Sequence, residues 1–134
     1  MANREEKRNL ETIPVGSLGI ISLEGCKVLG DKIDKYLVKW RTERESEHKD
    51  SLAFAGYQRD TYILDTKVPR FGSGEAKGVI NESVRGDDLY IMVDVCNHSL
   101  TYSLSGNKNR MSPDDHYQDL KRIIAAVGGK ARRI

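Results

Sequence analysis

The chain has 134 residues, of which 38% are hydrophobic and 31% charged, a composition that predicts one soluble domain with a packed core. With 22 basic and 20 acidic residues, the net charge of +2 creates no whole-molecule field that would attract nucleic acid or an anionic membrane. The start, MANREEKRNLE, lacks the apolar core of a secretory signal, and no stretch approaches the roughly 20 apolar residues that span a bilayer, so we expect a cytoplasmic protein.

The first part of the chain predicts an arm, a strand and a helix. Residues 1–17 are interpreted as a charged flexible arm, and residues 18–134 as one α/β domain. The apolar run LGIISL, residues 18–23, predicts a buried strand. After it, apolar residues recur at spacings of three and four, which predicts an amphipathic helix whose apolar face holds Cys26, Leu29, Ile33, Tyr36, Leu37 and Trp40. The polar segment 41–50 then predicts a solvated helix extension or an exposed loop.

The middle of the chain predicts a hairpin. In TYILDTKV, residues 61–68, polar and apolar residues alternate as in a half-buried strand. Gly72, Gly74 and Gly78 then interrupt the pattern before the residues VIN resume it, so the glycine-rich segment is expected at the tip of a β-hairpin.

The last third predicts a strand, a loop and a helix. The run LYIMVDVC, residues 89–96, is apolar enough for a central parallel strand covered on both faces. Residues 97–111 are polar and predict a loop. Ser112, Pro113 and Asp115 are typical of a helix start, and Gly128-Gly129 of its end. The apolar face of this helix is expected to contain Tyr117, Leu120, Ile123, Ile124 and Val127.

The order of these elements indicates an α/β fold with a partly parallel sheet, flanked by helices and carrying a projecting hairpin. The final residues, KARRI, resemble the beginning of another strand, so we expect the domain to continue into further strands of a longer protein. Cys26 and Cys96 both lie within apolar patterns, and we expect two buried, reduced side chains rather than a disulfide.

The glycine-rich segment fits no common phosphate-binding motif. A P-loop needs Gly-Lys followed by Ser or Thr at the start of a helix, whereas Lys77 precedes a glycine and a predicted strand. The spacing of the glycines also differs from that of the dinucleotide fingerprint. An adhesion role for Arg85-Gly86-Asp87 is disfavoured in a cytoplasmic chain. A nucleic-acid site at Lys130, Arg132 and Arg133 is disfavoured because no aromatic residues accompany the charges.

The segment from Phe71 to Val93 resembles the early part of phosphoribosyl pyrophosphate synthetase (ribose-phosphate pyrophosphokinase). That family has a phenylalanine, small or polar residues and a glutamate at a hairpin tip, then a Glu-Ser-Val-Arg-Gly turn, acidic residues and an apolar strand. The corresponding residues here are Phe71, the stretch 72–74 and Glu75, then ESVRG at 82–86 and DDLYIMV. The resemblance extends over about residues 18–134, with longer loops at 41–60 and 97–112.

The resemblance implies a phosphoribosyltransferase-like, Rossmann-like domain and a magnesium-assisted transferase, in which ATP donates a diphosphoryl group to ribose 5-phosphate. The subunits of such enzymes associate as homo-oligomers. By the same resemblance Phe71, Ser73 and Glu75 contact adenine, with Ser73 replacing the usual Asp or Asn. Ser83 and Arg85 match positions that bind a regulatory phosphate. Without the resemblance, Phe71 would be interpreted as a core residue under the hairpin.

The resemblance assigns no catalytic residue and no metal ligand to this chain, because the family's catalytic and Mg²⁺-binding segments follow the part that resembles residue 134. We therefore expect the chain alone to make no phosphoribosyl pyrophosphate. Two interpretations remain: the amino-terminal part of an active synthetase, or a non-catalytic regulatory relative or nucleotide-binding module.

Overall fold

The computed structural model of the protein describes residues 16–46 and 59–134. Within these residues the chain forms α1 (Lys27–Ser46), α2 (Pro113–Val127), β1 (Leu18–Ser22), β2 (Thr66–Lys67), β3 (Val79–Ile80), β4 (Asp88–Met92), β5 (Thr101–Leu104) and β6 (Asn107–Arg110). Residues 1–15 of the predicted arm lie outside the described part. The carbonyl oxygen of Ser17 already accepts a hydrogen bond from the Asp88 backbone N–H at 2.8 Å. Neither described helix is long and apolar enough to cross a membrane.

The sheet at the centre is parallel, as predicted. β1 pairs in parallel with β4, with Ile20 opposite Tyr90. Single parallel bridges extend the sheet on both sides, from Ile20 to Ile63 and from Asp88 to Arg133. β4 therefore lies between β1 and the carboxyl-terminal segment, which confirms its central position and the strand-like character of KARRI.

The two helices cover opposite faces of this sheet because alternate residues of β1 point to opposite sides. Ile21 packs in one buried cluster with Ile123 and Val127 of α2. Ile20 belongs to the other cluster, where Ile33 and Leu37 of α1 contact it. The mixed α/β fold is thereby confirmed.

The predicted helices are present, but their apolar faces are narrower than expected. α1 begins after a 3₁₀ turn at Glu24–Cys26 and runs through the polar residues to Ser46, while residues 47–50 lie outside the described part. On α1, Leu29, Tyr36 and Trp40 are exposed, as are Tyr117 and Ile124 on α2. The helical period is thus correct, whereas burial of these five side chains is wrong, because each helix contacts the sheet only along its central stripe.

The start of α2 is a capping box, as the sequence predicts. The Ser112 hydroxyl oxygen accepts from the Asp115 backbone N–H at 3.1 Å, and the Asp115 carboxylate accepts from the Ser112 N–H at 2.8 Å. Gly128, in the left-handed region with φ 59°, ends the helix.

The predicted strand at residues 61–68 has the expected alternation of burial. Tyr62 and Leu64 are buried, whereas Asp65 and Lys67 are exposed. Regular pairing is restricted to the parallel bridge at Ile63 and the short strand β2. One extended segment therefore joins the parallel sheet at its first half and the projecting hairpin at its second half.

Two expectations for residues 89–96 are wrong. Tyr90 is 66% exposed, so the second face of β4 is not covered along its whole length. Cys96 is exposed as well, because β4 ends at Met92 and the chain turns, with the Asp94 carboxylate accepting from the Cys96 N–H at 3.2 Å. Cys26 is buried as predicted, and burial, followed by the negative charge of Asp94, raises the pKa of its thiol. Both cysteines are free.

The loop predicted at residues 97–111 is also wrong, since this segment contains the antiparallel pair β5–β6. Ser105 and Gly106 form the connection, with φ of 50° and 82°. Positive φ at both central residues is the geometry of a two-residue hairpin turn whose twist matches that of its strands. The hairpin packs beside the glycine-rich segment.

Candidate functional site

The glycine-rich segment forms the tip of the hairpin β2–β3, as predicted. Beyond the paired residues of the two strands, Arg70 and Ala76 form an antiparallel bridge. At the tip itself, the Phe71 N–H donates to the Glu75 carbonyl oxygen at 2.7 Å, and the Gly74 N–H donates to the Phe71 carbonyl oxygen at 3.0 Å. Gly74 has φ 90°, a conformation that L side chains rarely adopt, so a glycine allows this tight turn.

The tip presents the three residues that the resemblance connects with adenine. Phe71 is 47% exposed, and Ser73 and Glu75 are exposed beside it. Phe71 is therefore not a core residue under the hairpin. An accessible ring next to an accessible carboxylate is able to stack on a flat base and accept from its amino group.

Next to the tip, the hairpin is held by a charged cluster that the sequence did not predict. The Arg70 guanidinium nitrogen Nη2 lies 3.2 and 3.3 Å from the two carboxylate oxygens of Asp119 on α2. Arg122 donates to the same carboxylate at 2.7 Å. The guanidinium of Arg70 also lies 4.3 Å from the centre of the Tyr102 ring on β5, within the range of a cation–π contact. In the sequence, the indication of this cluster is that Asp119 and Arg122 lie three residues apart on a predicted helix. Side chains at this spacing are neighbours on a helix surface.

The tip and the returning strand make two further close approaches. A Cβ at Gly74 would lie 3.8 Å from the Leu104 side chain, so the tip lies against β5. A Cβ at Gly78 would lie 2.4 Å from the Arg122 carbonyl oxygen, so the returning strand lies directly on the backbone of α2. The hairpin is therefore supported on two sides.

The Glu-Ser-Val-Arg-Gly turn is a separate feature at the amino end of β4. Ser83 and Arg85 are both exposed, and the Ser83 hydroxyl oxygen accepts from the Arg85 backbone N–H at 3.4 Å. Gly86 has φ 79°, and its N–H donates to the Lys130 carbonyl oxygen at 3.0 Å. The turn thus brings Ser83 and Arg85 together on one exposed loop, anchored to the segment that follows α2.

Two acidic residues of this turn region have structural contacts. The Glu82 carboxylate accepts from the Asp65 backbone N–H at 3.0 Å and from the Arg59 guanidinium at 3.3 Å. Burial raises the pKa of Asp87; Arg59 opposes that change, and the neighbouring charge of Asp88 adds to it. Glu82 therefore ties the turn to the segment preceding β2, and the exposed polar groups left for a ligand are those of Ser83 and Arg85.

A cavity of about 440 Å³ lies between the carboxyl end of β1 and the base of the hairpin. Its walls include Ser22, Lys67, Arg70, Tyr102 and His116. Ligands of open α/β sheets bind at the carboxyl ends of the strands. The hairpin therefore projects beside the edge of the sheet where this class of fold places its ligands.

The described residues contain no cluster of metal-ligating side chains. No three His, Cys, Asp or Glu side chains in residues 16–46 and 59–134 form a group that could hold a metal ion. No chemical step is therefore assigned to a metal bound by this part of the chain.

Comparison with known protein families shows which family the chain matches. The family model of the N-terminal domain of ribose phosphate pyrophosphokinase matches residues 18–134. No curated protein and no solved structure matches the chain significantly. The family model covers the hairpin, the turn and both helices described above, and on this evidence the chain belongs to the ribose phosphate pyrophosphokinase family and carries its N-terminal domain.

Proposed function

We propose that this chain is the amino-terminal domain of a ribose-phosphate pyrophosphokinase, with a phosphoribosyltransferase-like, Rossmann-like architecture. In the complete reaction, the C1 hydroxyl oxygen of ribose 5-phosphate loses its proton and bonds to the β-phosphorus of ATP, while the α–β phosphoanhydride bond breaks and AMP leaves. The parallel order of the segments at Ile63, β1, β4 and Arg133 supports the architecture. The two free cysteines are compatible with a cytoplasmic location.

Within this function, the hairpin tip binds the adenine of ATP. The observation that carries this proposal is the exposure of Phe71 beside Glu75 on a turn closed by two backbone hydrogen bonds. A base stacked on an aromatic side chain contributes about 1 to 3 kcal/mol. Glu75 would accept from the exocyclic amine, and Ser73 would offer a hydroxyl at the same edge.

The test is steady-state kinetics of the enzyme that carries this domain. Phe71→Ala is expected to raise the KM for ATP about tenfold and to change the KM for ribose 5-phosphate by less than about twofold. Phe71→Tyr keeps a stacking face and should remain close to the wild type. Tyr117→Ala removes an exposed aromatic ring from α2 and serves as the control. Equal effects of Phe71→Ala on both substrates, or none, would contradict the proposal.

The exposed turn with Ser83 and Arg85 is proposed to bind a regulatory phosphate. A hydroxyl and a guanidinium two residues apart are able to converge on one anion, and Arg85 supplies two parallel donors that lysine lacks. Arg85→Lys should therefore weaken the binding of inorganic phosphate to this chain, measured by NMR titration, while the spectrum of the core stays unchanged. Identical binding in the two proteins would contradict this role.

We propose that the 134-residue chain by itself is inactive. The alternative function, that of a non-catalytic regulatory relative, concerns the protein that carries this domain. One assay tests both proposals: it measures whether AMP is released from ATP only when ribose 5-phosphate is present. Turnover by the 134-residue chain above a blank without protein would contradict the first proposal. Absence of turnover by the complete, Mg²⁺-supplied protein would favour the regulatory relative.

A further inference from the structure

The charged cluster next to the tip joins the hairpin to α2 and to β5. We propose that Asp119 is a positioning residue for the adenine-binding tip and that it acts through Arg70. The inference rests on the proposed function of the hairpin, since it concerns how Phe71 and Glu75 are held in place for their ligand.

Arg70 and Phe71 are neighbours in the chain whose side chains point in opposite directions. Successive residues of a strand point to opposite faces. Arg70, at the last bridge before the tip, points inward with its side chain 11% exposed, whereas the next residue, Phe71, is 47% exposed. Anchoring the Arg70 side chain therefore sets the direction in which the Phe71 ring leaves the hairpin.

The carboxylate of Asp119, which anchors Arg70, lies on a well-defined helix. The Asp119 side chain is 12% exposed and lies on α2, a helix of 15 residues with a capping box at its start and a left-handed glycine at its end. Arg122 holds the same carboxylate from one turn further along the helix, at 2.7 Å. The carboxylate that Arg70 contacts is thus also held by a residue of its own helix.

The two strands of the hairpin have little backbone pairing of their own. β2 and β3 pair over two residues each, and Pro69 offers no backbone N–H next to the tip. An isolated two-stranded hairpin is at best marginally stable in water, so this hairpin depends on its contacts with the rest of the domain. Contact of Arg70 with the Tyr102 ring and the approach of the tip to Leu104 add a second support from β5.

The kinetic experiment uses the enzyme that carries this domain, with Asp119→Asn, Arg70→Gln and the double variant. Each single variant is expected to raise the KM for ATP about tenfold and that for ribose 5-phosphate by less than about twofold, because misplacing a binding group by about 1 Å is costly. The double variant should raise the KM for ATP by clearly less than the product of the two single effects, because both substitutions remove the Arg70–Asp119 contact. Asp114→Asn removes an exposed carboxylate from the first turn of the same helix and is the matched control.

A second measurement separates positioning from general stability. Hydrogen exchange of the 134-residue chain reports the tip through the amides of Phe71 and Gly74, and the core of α2 through Ile123 and Val127. Asp119→Asn should speed exchange at the tip by about tenfold and leave the α2 amides within about twofold of the wild type. Arg70→Gln, which leaves Asp119 paired with Arg122, provides the same test if Asp119→Asn fails to fold.

The results of these experiments separate the positioning role of Asp119 from the proposed binding of adenine by the tip. If Phe71→Ala raises the KM for ATP but Asp119→Asn and Arg70→Gln do not, the positioning role is overturned and the adenine-binding tip stands. Faster exchange throughout the protein in both variants also overturns it. If Phe71→Ala changes neither KM, the proposed function of the tip fails, and the positioning role fails with it.

Discussion

Gly78 shows how one residue without a side chain determines where the hairpin lies. A Cβ at this position would approach the Arg122 carbonyl oxygen to 2.4 Å and the Ile123 nitrogen to 3.0 Å. Because these are backbone atoms of a helix, they cannot rotate away as a side chain would. Contact between the returning strand and α2 therefore depends on the missing methyl group.

Gly78→Ala is expected to destabilise the chain by about 1 to 3 kcal/mol, the usual cost of forcing extra atoms into a packed site. The free energy of unfolding in urea measures the change. Gly72→Ala is the control, because a Cβ there meets nothing within 4 Å and φ is not positive. Equal stability of the two variants would mean that the strand moves off α2 without cost.

Asp115 makes the helix cap dependent on pH. Burial alone would raise the pKa of this carboxyl group, but hydrogen bonds from the backbone and hydroxyl of Ser112 outweigh it and leave the pKa below its ordinary value of 3.8. A carboxyl group with a lowered pKa stabilises the folded state above its unfolded pKa, and that contribution is lost as the pH falls through the folded pKa.

We therefore expect Asp115→Asn to be less stable than the wild type at pH 7. The difference should shrink as the pH falls below about 4, where the wild-type carboxyl group takes up its proton. Urea unfolding at several pH values tests this, with Asp114→Asn as a control outside the capping box. If the difference in unfolding free energy between the two proteins stayed constant down to pH 2, ionisation of Asp115 would not be its cause.

At the scale of elements, the hairpin β5–β6 is the largest difference between prediction and structure. Its strands carry few apolar residues: Tyr102 and Leu104 in β5, and none in NKNR of β6. The only local signal was Ser105-Gly106, a dipeptide typical of turns. This hairpin matters to the site, because Tyr102 contacts Arg70 and Leu104 lies beside the tip.

Ser105→Asn is expected to stabilise this hairpin, since asparagine tolerates a positive φ better than serine, whose φ here is 50°. Gly106→Ala should have the opposite effect, because φ is 82° and a left-handed conformation costs an L residue about 1 to 2 kcal/mol. Thermal unfolding measures both. If both substitutions shift the midpoint in the same direction, the two-residue turn is wrong.

At the scale of the whole molecule, the exposed apolar surface of α1 predicts association. Tyr36 and Trp40 are 60% and 58% exposed, their ring centres lie 6.2 Å apart, and Leu29 lies on the same stripe of the helix. Tyr90 leaves part of the sheet uncovered as well. Apolar patches of this kind are typical of surfaces that contact another protein.

We expect the chain to self-associate with increasing concentration, as measured by light scattering at several concentrations. Trp40→Glu, which places a charge on the exposed stripe, should lower the average mass without changing the fold. Gln118→Glu adds the same single negative charge at an exposed position of α2 and is the matched control for charge. A monomer at every concentration would contradict this prediction.

The sequence by itself determined the features that depend on a few neighbouring residues. The capping box of α2, the helical period of α1, the alternation from Tyr62 to Val68 and the glycine-rich turn at Phe71–Glu75 are all of this kind. Each follows from hydrogen bonds or side-chain directions within a short stretch, and the glycine-rich turn also carries part of the family resemblance. The three adenine-binding residues and the phosphate-binding pair stay predictions.

Only the tertiary structure decided which side chains meet across long distances in the chain. Arg70 and Asp119 are separated by 49 residues, and no period or motif connects them. The exposure of Cys96 and Tyr90 likewise depends on where β4 ends and on what the helices cover. Apolar composition predicts that a side chain favours burial, but burial requires a neighbouring element, and the position of that element is set by the packing of the whole domain.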